Sequence, residues 1–439
     1  MLPTTLAALA AIAALGTSNA APAPQKVEWD QAKLEALARD IQDQVAELRG
    51  ESFKRPVAVQ VATAEDFFAY ARARVEETET PQKLAADETI AKMLGLVPPK
   101  MDFMETLLAM LETQVGGYYD PASDSFSLMD KCPTSIAPVI LAHELDHALD
   151  DQLFGIDQGL ARVSEITDAS TAYSSVVEGS GTNIMSRWMV QYAQWAKNHG
   201  GSIDLAAYAR MQQDAQEPML QAPMFMWKPM FFVYLRGSAF LVRSENFLDG
   251  SMREARPGDI RTAFNDPPRS TEQILHPEKY WDPQHRDDPR PVVFDTSKLP
   301  AGWEVLREDS LGELVLAIVT TPDSTTQGID VTDAAAQMAV EFTNLAAEGW
   351  GGDRVILLGK EDARFLRLAT SWDTERDAAE FMGALAINLP GMRAACAELG
   401  PKKTGVTATY GSAADQVIVD AYFGVGSKDL RELSAALTQ

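Results

Sequence analysis

The sequence predicts an α+β protein with two parts: a mainly helical domain over residues 27–285 and a C-terminal α+β sandwich domain over residues 291–439. Before residue 285, most segments repeat their apolar residues at helical spacing. After residue 291, strand-like and helical runs alternate, which is typical of helices packed on one face of a sheet. The charged, proline-rich stretch 281–290 separates the two patterns.

Apolar periodicity predicts the elements of the first domain. Helices are expected over residues 27–49, 64–77, 85–96, 101–115 and 169–197, and a strand over residues 55–62. Aromatic residues flank the turn-forming block Asp120–Asp124, which indicates a hairpin. The Met- and aromatic-rich stretch 212–243 is interpreted as core or, alternatively, as an apolar wall beside a cleft. Its prolines, Lys228 and Arg236 argue against a membrane span.

The second domain is expected to combine short strands with helices and contains no histidine. The expected strands are residues 314–320, 354–358, 365–370, 406–410 and 416–423, and the expected helices are residues 331–349, 376–387 and 428–437. No residue pattern in this region points to catalysis.

The most specific pattern in the chain is His143-Glu144-Leu145-Asp146-His147, which has the form HExxH. The chain holds only five histidines, and two of them stand four residues apart with a glutamate after the first. Residues four apart share one face of an α-helix, about 6 Å apart along its axis. His143 and His147 are therefore candidate ligands of one zinc ion, and Glu144 is the candidate base that acts on water at its open position.

The residues around the motif favour a helix. The pair Thr134-Ser135 offers capping side chains, and Pro138 is tolerated in a first turn. Leu141, Leu145 and Leu149 then form an apolar stripe. The histidines lie to one side of that stripe, so we expect one face to pack on a core and the neighbouring face to open to a cleft. The alternative is a solvated amphipathic helix without a metal.

A catalytic zinc ion usually has three protein ligands and one open position. Position 153 is Leu, which excludes the metzincin pattern with its third histidine. A glutamate on a following helix would give the gluzincin pattern, and Glu178 is the main candidate. Small residues surround it, so its helix can approach the motif helix closely. Glu165 and Asp168 are the alternatives.

A carboxylate is also expected beside the histidines, because a ligating imidazole usually donates its second ring N–H to a carboxylate or carbonyl. Asp150 and Asp151 follow His147 at three and four residues and are the candidates. The alternative is that both are solvated at the helix end.

A hydrogen-bond donor is needed to stabilise the oxyanion that forms when water attacks an amide. Residues that bear such donors occur before and after the motif helix. The candidates are His276, Tyr280, Tyr118 and Tyr119. In zinc peptidases an edge strand often borders the cleft and pairs with an extended substrate, and the hairpin is the expected edge. His199 and His285 lie in polar segments and are expected to have no role.

The first 20 residues are predicted to be a signal peptide. Residues 6–15 form an uninterrupted apolar run, and Ser18-Asn19-Ala20 offers a cleavage site after Ala20. The run is too short for a membrane span, and no cysteine near the cleavage site supports a lipid anchor. We therefore expect export to the periplasm or the medium, without a stable membrane anchor.

Charge and cysteine content set two further expectations. The chain has 63 acidic and 38 basic residues, a formal net charge of −25, so nucleic acid and anionic membrane are not expected partners. In an oxidising compartment, Cys132 and Cys396 either form a bridge or remain separate thiols.

The motif and its surroundings resemble a little-characterised group of bacterial secreted metallopeptidases of gluzincin type. The resembling runs include the motif with Ala148–Gln152, the triplet Val177-Glu178-Gly179, and residues 270–280. The hairpin Gly117–Pro121 and the run Tyr234–Phe240 also resemble that group, and residues 349–354 resemble a domain that often follows.

This resemblance, which covers most of residues 30–285, implies a zincin-like catalytic fold that binds zinc through His143, His147 and Glu178. It names no substrate. Ser180 stands where an acidic residue often follows Glu-Gly, so the surroundings of Glu178 are expected to differ.

These patterns together predict a secreted zinc-dependent peptidase that acts on a protein or peptide. Glu144 is the expected general base, with His276 or Tyr119 as the oxyanion donor. One alternative is a non-catalytic zinc-binding envelope or interaction protein that keeps the motif helix for structure. Two others are a zinc hydrolase that acts on a non-peptide amide, and a C-terminal domain that binds partners or inhibits the site until it is removed. The sequence does not indicate an oligomeric state.

Overall fold

The protein has a mixed α and β architecture with two sheets, which confirms the predicted α+β class. The structure is a computed structural model that describes residues 29–198, 213, 215–400 and 402–437. The predicted signal peptide and His199 lie outside the described residues. Within the described part of the chain, no helix has both the length and the apolarity needed to cross a membrane.

The N-terminal region consists of helices around a small sheet. Its elements are α1 (Gln31–Arg49), β1 (Ala58–Ala62), α2 (Ala64–Thr78), α3 (Pro81–Met93), α4 (Phe103–Gln114), β2 (Gly117–Asp120) and β3 (Ser125–Met129). Each of these four helices begins at a residue whose side chain accepts a backbone N–H: Asp30, Thr63, Thr80 and Asp102. The helix expected from residue 85 begins earlier, at Pro81, because Pro is favourable in a first turn.

The small sheet confirms the predicted hairpin. Strands β2 and β3 pair antiparallel, with Tyr119 opposite Phe126, and β1 pairs parallel with the other side of β3. The strand order is β1-β3-β2, so β2 is an edge strand of this sheet. Gly117 is required on β2, because a Cβ there would lie 2.6 Å from the Phe126 ring.

Three long helices form the centre of the protein, and α7 packs against both of the others. The helices of this region are α5 (Ala137–Phe154), α6 (Ile156–Val163), α7 (Thr167–Gln191), α8 (Ala193–Asn198) and α9 (Met224–Leu241). Helices α7 and α9 are almost in backbone contact, since a Cβ on Gly237 would lie 2.0 Å from the carbonyl oxygen of Ser175. The described part of the Met-rich stretch is core, because α9 is buried along nearly its whole length.

The start of α5 differs from the prediction. The N-cap is Ile136, and no side chain caps the helix, so the capping role expected for Thr134-Ser135 is wrong. Pro138 lies in the first turn as expected. The stripe Leu141, Leu145 and Leu149 is fully buried.

The remaining chain forms short helices and a five-stranded antiparallel sheet of order β4-β5-β6-β8-β7. The elements are α10 (Phe247–Met252), α11 (Asp259–Asn265), α12 (Thr271–Leu275), α13 (Glu278–Trp281), β4 (Glu304–Asp309), α14 (Gly312–Thr320), α15 (Ala334–Met338), β5 (Trp350–Lys360), β6 (Ala363–Trp372), α16 (Glu375–Leu399), β7 (Gly405–Tyr410), β8 (Gln416–Phe423) and α17 (Ser427–Ala436).

Helices cover both faces of this sheet, which corrects the expectation of one covered face. Val355 and Leu357 share a core with Phe381 of α16, whereas Ile356 shares a second core with Leu433 of α17. Successive residues of a strand point to opposite faces, so the continuous apolar run of β5 buries side chains on both.

Two expected elements in this region are wrong. Residues 314–320 form a buried helix, α14, instead of a strand, and an apolar run without alternation does not distinguish the two. The helix expected over residues 331–349 is reduced to α15. After it, the Asn344 side chain accepts the backbone N–H groups of Ala346 and Ala347, a local bonding pattern that competes with a regular helix.

The regions on either side of residues 285–291 share one continuous hydrophobic core. Buried carboxylates join them. Asp309 at the end of β4 accepts the backbone N–H of Thr167, which begins α7, at 2.7 Å. Asp168 accepts both the backbone N–H (2.8 Å) and the hydroxyl (2.6 Å) of Thr271, which begins α12. The C-terminal sheet therefore holds the start of the helix that carries Glu178.

The two cysteines are separate thiols. Cys132 and Cys396 are both buried and unbridged. The Cys132 thiol faces the carbonyl oxygen of Pro133, and the Cys396 thiol faces that of Met93. The bridge that was one of two expectations is therefore not part of this fold.

Asp168 predicts a specific pH dependence of stability. Burial raises its pKa to about 8, with Asp353 and Glu313 contributing, although the bonds from Thr271 oppose this shift. An unfolded aspartate has a pKa of about 3.9, so the folded state binds the proton more tightly. The stability from this group is complete below about pH 4 and is lost as the pH rises through about 8.

The variant Asp168→Asn keeps an acceptor for Thr271 and removes the ionisation. Between about pH 5 and about pH 8, its free energy of unfolding in urea should decline less than that of the parent, by at least ~1 kcal/mol. Asp40→Asn, at an exposed position, is the control and should follow the parent. If the free energy of unfolding declined equally with pH in Asp168→Asn and in the parent, the raised pKa of Asp168 would be contradicted.

Candidate metal centre

The structure brings together the three residues predicted as metal ligands. His143 and His147 are one turn apart on α5, and Glu178 faces them from α7. His143 Nε2 lies 2.9 Å from His147 Nε2 and 3.2 Å from Glu178 Oε2. His147 Nε2 lies 3.3 Å from the same carboxylate oxygen. We refer to these three residues as the triad.

The triad has the dimensions of one side of a tetrahedral metal site. Bonds of about 2.0–2.1 Å at tetrahedral angles place two ligand atoms about 3.3 Å apart. The three distances in the triad are 2.9, 3.2 and 3.3 Å. Two imidazoles and one carboxylate also form a donor set that suits zinc and leaves a fourth position. The residues present therefore fit a zinc ion.

The site is more enclosed than the sequence predicted. His143, Glu178 and His147 are 0%, 1% and 2% exposed, and Glu144 is 1% exposed. The expectation that this face of the motif helix opens to a cleft is wrong, because α7 packs directly on it. The aromatic ring of Tyr234, on α9, also lies 6.0 Å from the His143 ring.

The pKa values of the two histidines in the triad shift in opposite directions. Burial and the neighbouring His147 lower the pKa of His143, which favours the neutral imidazole that binds metals. Burial acts the same way on His147, but the Glu178 carboxylate outweighs it and raises the pKa of His147 to about 9. A divalent cation held by the same three atoms would compete with that proton.

Gly181 allows α7 to approach the two histidines. It lies one turn after Glu178 on the same face of α7. A Cβ at this position would lie 2.8 Å from His143 Cε1 and 2.9 Å from His147 Cε1. Contacts that short are not tolerated, so only glycine lets α7 pack against the rings at this distance. The expectation that small residues permit a close approach is confirmed at this position.

A buried ionic cluster supports the motif helix from the side of α1. Arg49 Nε lies 3.0 Å from Asp146 Oδ1 as an ion pair, and Arg49 also pairs with Asp150. The hydroxyl of Ser180, on α7, donates to Asp146 Oδ2 at 2.8 Å. This cluster links α1, α5 and α7. Ser180, which stands where an acidic residue often occurs in the resembling group, bonds to Asp146 in this cluster.

Neither aspartate expected beside the histidines bonds to them. Asp150 pairs with Arg49, while Asp151 accepts the backbone N–H of Ile156 at 2.9 Å. The Nδ1 atoms of His143 and His147 are buried without a hydrogen-bond partner in the described part of the chain.

Glu144 is positioned by the edge strand. Its Oε2 accepts the backbone N–H of Tyr119 on β2 at 2.9 Å. Burial raises the pKa of Glu144 to about 8, although His147 and this hydrogen bond oppose the shift. The Tyr119 hydroxyl points away from the triad and lies 2.8 Å from a carboxylate oxygen of Asp124 and 3.1 Å from one of Asp151. Tyr119 therefore contacts the site through its backbone N–H, which bonds to Glu144, whereas its side-chain hydroxyl was the expected contact.

His276 also has a partner outside the triad. Its Nε2 lies 3.1 Å from both carboxylate oxygens of the fully buried Glu313, on α14, and Thr343 donates to the same carboxylate. Burial lowers the pKa of His276, but the Glu313 carboxylate outweighs this and raises it overall.

The other candidates likewise have structural partners. The Tyr280 hydroxyl donates to the carbonyl oxygen of Asp266 at 2.6 Å, and Tyr118 stacks on Tyr70. Glu165 has a side chain that is 79% exposed, and His285 bonds the nearby Asp282 at the surface.

Sequence reasoning missed three residues at the site. These are Arg49, Asp146 and Tyr234. Asp146 lies inside the motif, and its spacing of four from Asp150 could have indicated a shared cationic partner. No local pattern links Arg49 to that pair, because the contact joins distant parts of the chain.

Comparison with known proteins adds one finding. A family model described as a domain of unknown function, DUF8575, matches residues 302–421. That stretch runs from β4 into β8 and contains no residue of the triad. No curated protein and no solved structure matches the chain.

The role of Gly181 is testable with a matched pair of glycines. Gly181→Ala should reduce zinc affinity about 10- to 100-fold, because the new methyl group must displace the two imidazole rings. Gly383→Ala, within α16 and with no atom near its Cβ position, should leave zinc affinity unchanged. Competition with a chromophoric chelator measures both. Equal zinc affinities for the two variants would contradict the close approach described above.

Proposed function

We propose that this protein is a zinc-dependent hydrolase that cleaves peptide bonds. The observation that carries the proposal is the convergence of His143, His147 and Glu178 from two helices, with ligand atoms 2.9–3.3 Å apart. A glutamate directly after the first histidine gives the arrangement a base as well as a binding site. The HExxH spacing and the position of Glu178 support the gluzincin type.

The triad would hold zinc through Nε2 of each histidine and a carboxylate oxygen of Glu178. Bound there, zinc would supply Lewis acidity, which acidifies water and polarises a carbonyl group. Glu144 would accept the proton of the attacking water and pass it to the leaving amine. The positive charge of a zinc ion beside Glu144 would favour the carboxylate form that accepts this proton, and the Tyr119 N–H holds the carboxylate in place.

An extended peptide is the substrate that best suits the strand beside Glu144. Strand β2 is an edge strand of its sheet, and its Tyr119 N–H donates to Glu144. A peptide that added to such an edge would run past the motif helix. Tyr119 and His276 have other side-chain partners, so the oxyanion donor in this proposal is not assigned to either side chain.

One observation favours a second candidate, a non-catalytic protein that uses the metal for structure. The triad and Glu144 are at most 2% exposed, whereas a peptidase must admit its substrate. Closed sites are typical of structural zinc, although those sites usually have four protein ligands. Export through the predicted signal peptide remains part of the proposal for either candidate.

Two substitutions separate the candidates. Glu144→Gln should keep one zinc per chain and reduce peptide hydrolysis at least ~100-fold, because the base is lost and the ligands remain. Glu178→Ala should lose both zinc and activity. Metal analysis and cleavage of a peptide library, with and without a chelator, provide the measurements.

Glu65→Gln, at an exposed position on α2, is the control and should behave like the parent. A parent that binds zinc but cleaves no peptide would favour the structural candidate. Full activity of Glu144→Gln would contradict the mechanism.

A further inference from the structure

A second feature of the fold is a cavity of about 420 Å³, enclosed by α3, α4, α7, α9 and the start of α14. Its volume lies within the ~300–1,000 Å³ of typical small-molecule sites. The triad and Glu144 do not line it. Leu311 and Leu314 contribute to its wall, so it exists only where the C-terminal region meets the helical region.

Most of the cavity wall is apolar. Helix α4 contributes Phe103, Leu107 and Leu111, and α9 contributes Phe225 and Met230. A wall of this kind contacts an aliphatic or aromatic group through dispersion and removes it from water.

The charged residues of the wall are all acidic. They are Asp87, Glu88 and Asp309, and the described wall contains no Lys, Arg or His. Arg307, behind the wall, pairs with Asp87 at 2.7 Å and with Asp309 at 2.9 Å. Lys92 pairs with Glu88 at 2.7 Å. These pairs satisfy the carboxylates without a bound cation, and no basic side chain of the described wall would pair with a bound anion.

Most hydroxyl groups of the wall already donate a hydrogen bond within the protein. Thr167 donates to Asp309, Thr171 donates to the carbonyl oxygen of Thr167 at 2.8 Å, and Thr271 donates to Asp168. Each hydroxyl oxygen still has lone pairs that can accept. The polar part of the wall therefore offers acceptors to a ligand.

Tyr234 places the cavity next to the triad. Its side chain lines the cavity, and its ring lies 6.0 Å from the His143 ring. One aromatic ring therefore separates a molecule in the cavity from the candidate metal centre.

We propose that this cavity binds a single-chain aliphatic molecule whose polar end is a hydrogen-bond donor, such as an alkyl ammonium or an alkyl alcohol. It binds alkyl carboxylates more weakly, because the charged side chains of the described wall are all acidic and none is basic. This binding is separate from peptide hydrolysis and does not require it.

Three probes of equal chain length test the proposal: decylamine, 1-decanol and decanoate. Calorimetric titration uses the full chain, and none of the three probes has a peptide bond that the protein could hydrolyse. Decylamine and 1-decanol should bind once per chain, at least ~10-fold more tightly than decanoate. Loss of peptide hydrolysis in any other experiment would leave this result unaffected.

A matched pair of leucines locates the site. Leu107→Trp fills the cavity and should weaken 1-decanol binding at least ~10-fold, while Leu345→Trp, at a position that is 62% exposed, should not. A second variant, Glu88→Lys, places a cation at the partly exposed edge of the wall and should strengthen decanoate binding. If Leu107→Trp does not fold, the Glu88→Lys variant still tests whether the acidic wall weakens the binding of decanoate.

Three results would overturn the proposal. The first is that decanoate binds as tightly as 1-decanol. The second is that neither 1-decanol nor decylamine binds. The third is unchanged 1-decanol binding in a folded Leu107→Trp variant.

Discussion

The centre of this protein depends on how closely α7 approaches α5. Gly181 has no side chain, so α7 lies against the rings of His143 and His147 and presents Glu178 to both. Burying two imidazoles and a carboxylate is unfavourable unless their charges are paired. A metal ion held between them would supply that compensation, and the Arg49–Asp146–Ser180 cluster fixes the two helices in the position that such an ion needs.

The C-terminal region takes part in the same arrangement. Asp309 holds the first residue of α7, and the buried side chains of both regions form one core. The region therefore positions the helix of Glu178 and closes the apolar cavity beside Tyr234. For this reason, removing residues beyond about 290 would expose core instead of cleanly releasing an inhibitor, and loss of activity after such a truncation would not distinguish inhibition from support.

The sequence predicted the parts of the site that follow from local geometry. Helical spacing places His143 and His147 on one face, and the small residues around Glu178 indicate a close helix contact. Other features depend on contacts between distant segments, which periodicity does not encode. They include the burial of the site, the partner of His276 and the use of the Tyr119 backbone in place of its side chain. The fold was likewise predictable only where local spacing decides it. The apolar run of α14 is compatible with either a strand or a buried helix, and only its contacts with distant segments distinguish the two.

The most direct test of this account is X-ray absorption spectroscopy at the zinc edge of the reconstituted protein. We expect N and O scatterers at about 2.0–2.2 Å from the zinc ion, together with the more distant scattering pattern of two imidazole rings. Loss of that pattern in His147→Ala would assign it to the triad. A sulfur shell at about 2.3 Å, or the spectrum of a hydrated ion without imidazole, would contradict the claim that His143, His147 and Glu178 form the metal centre.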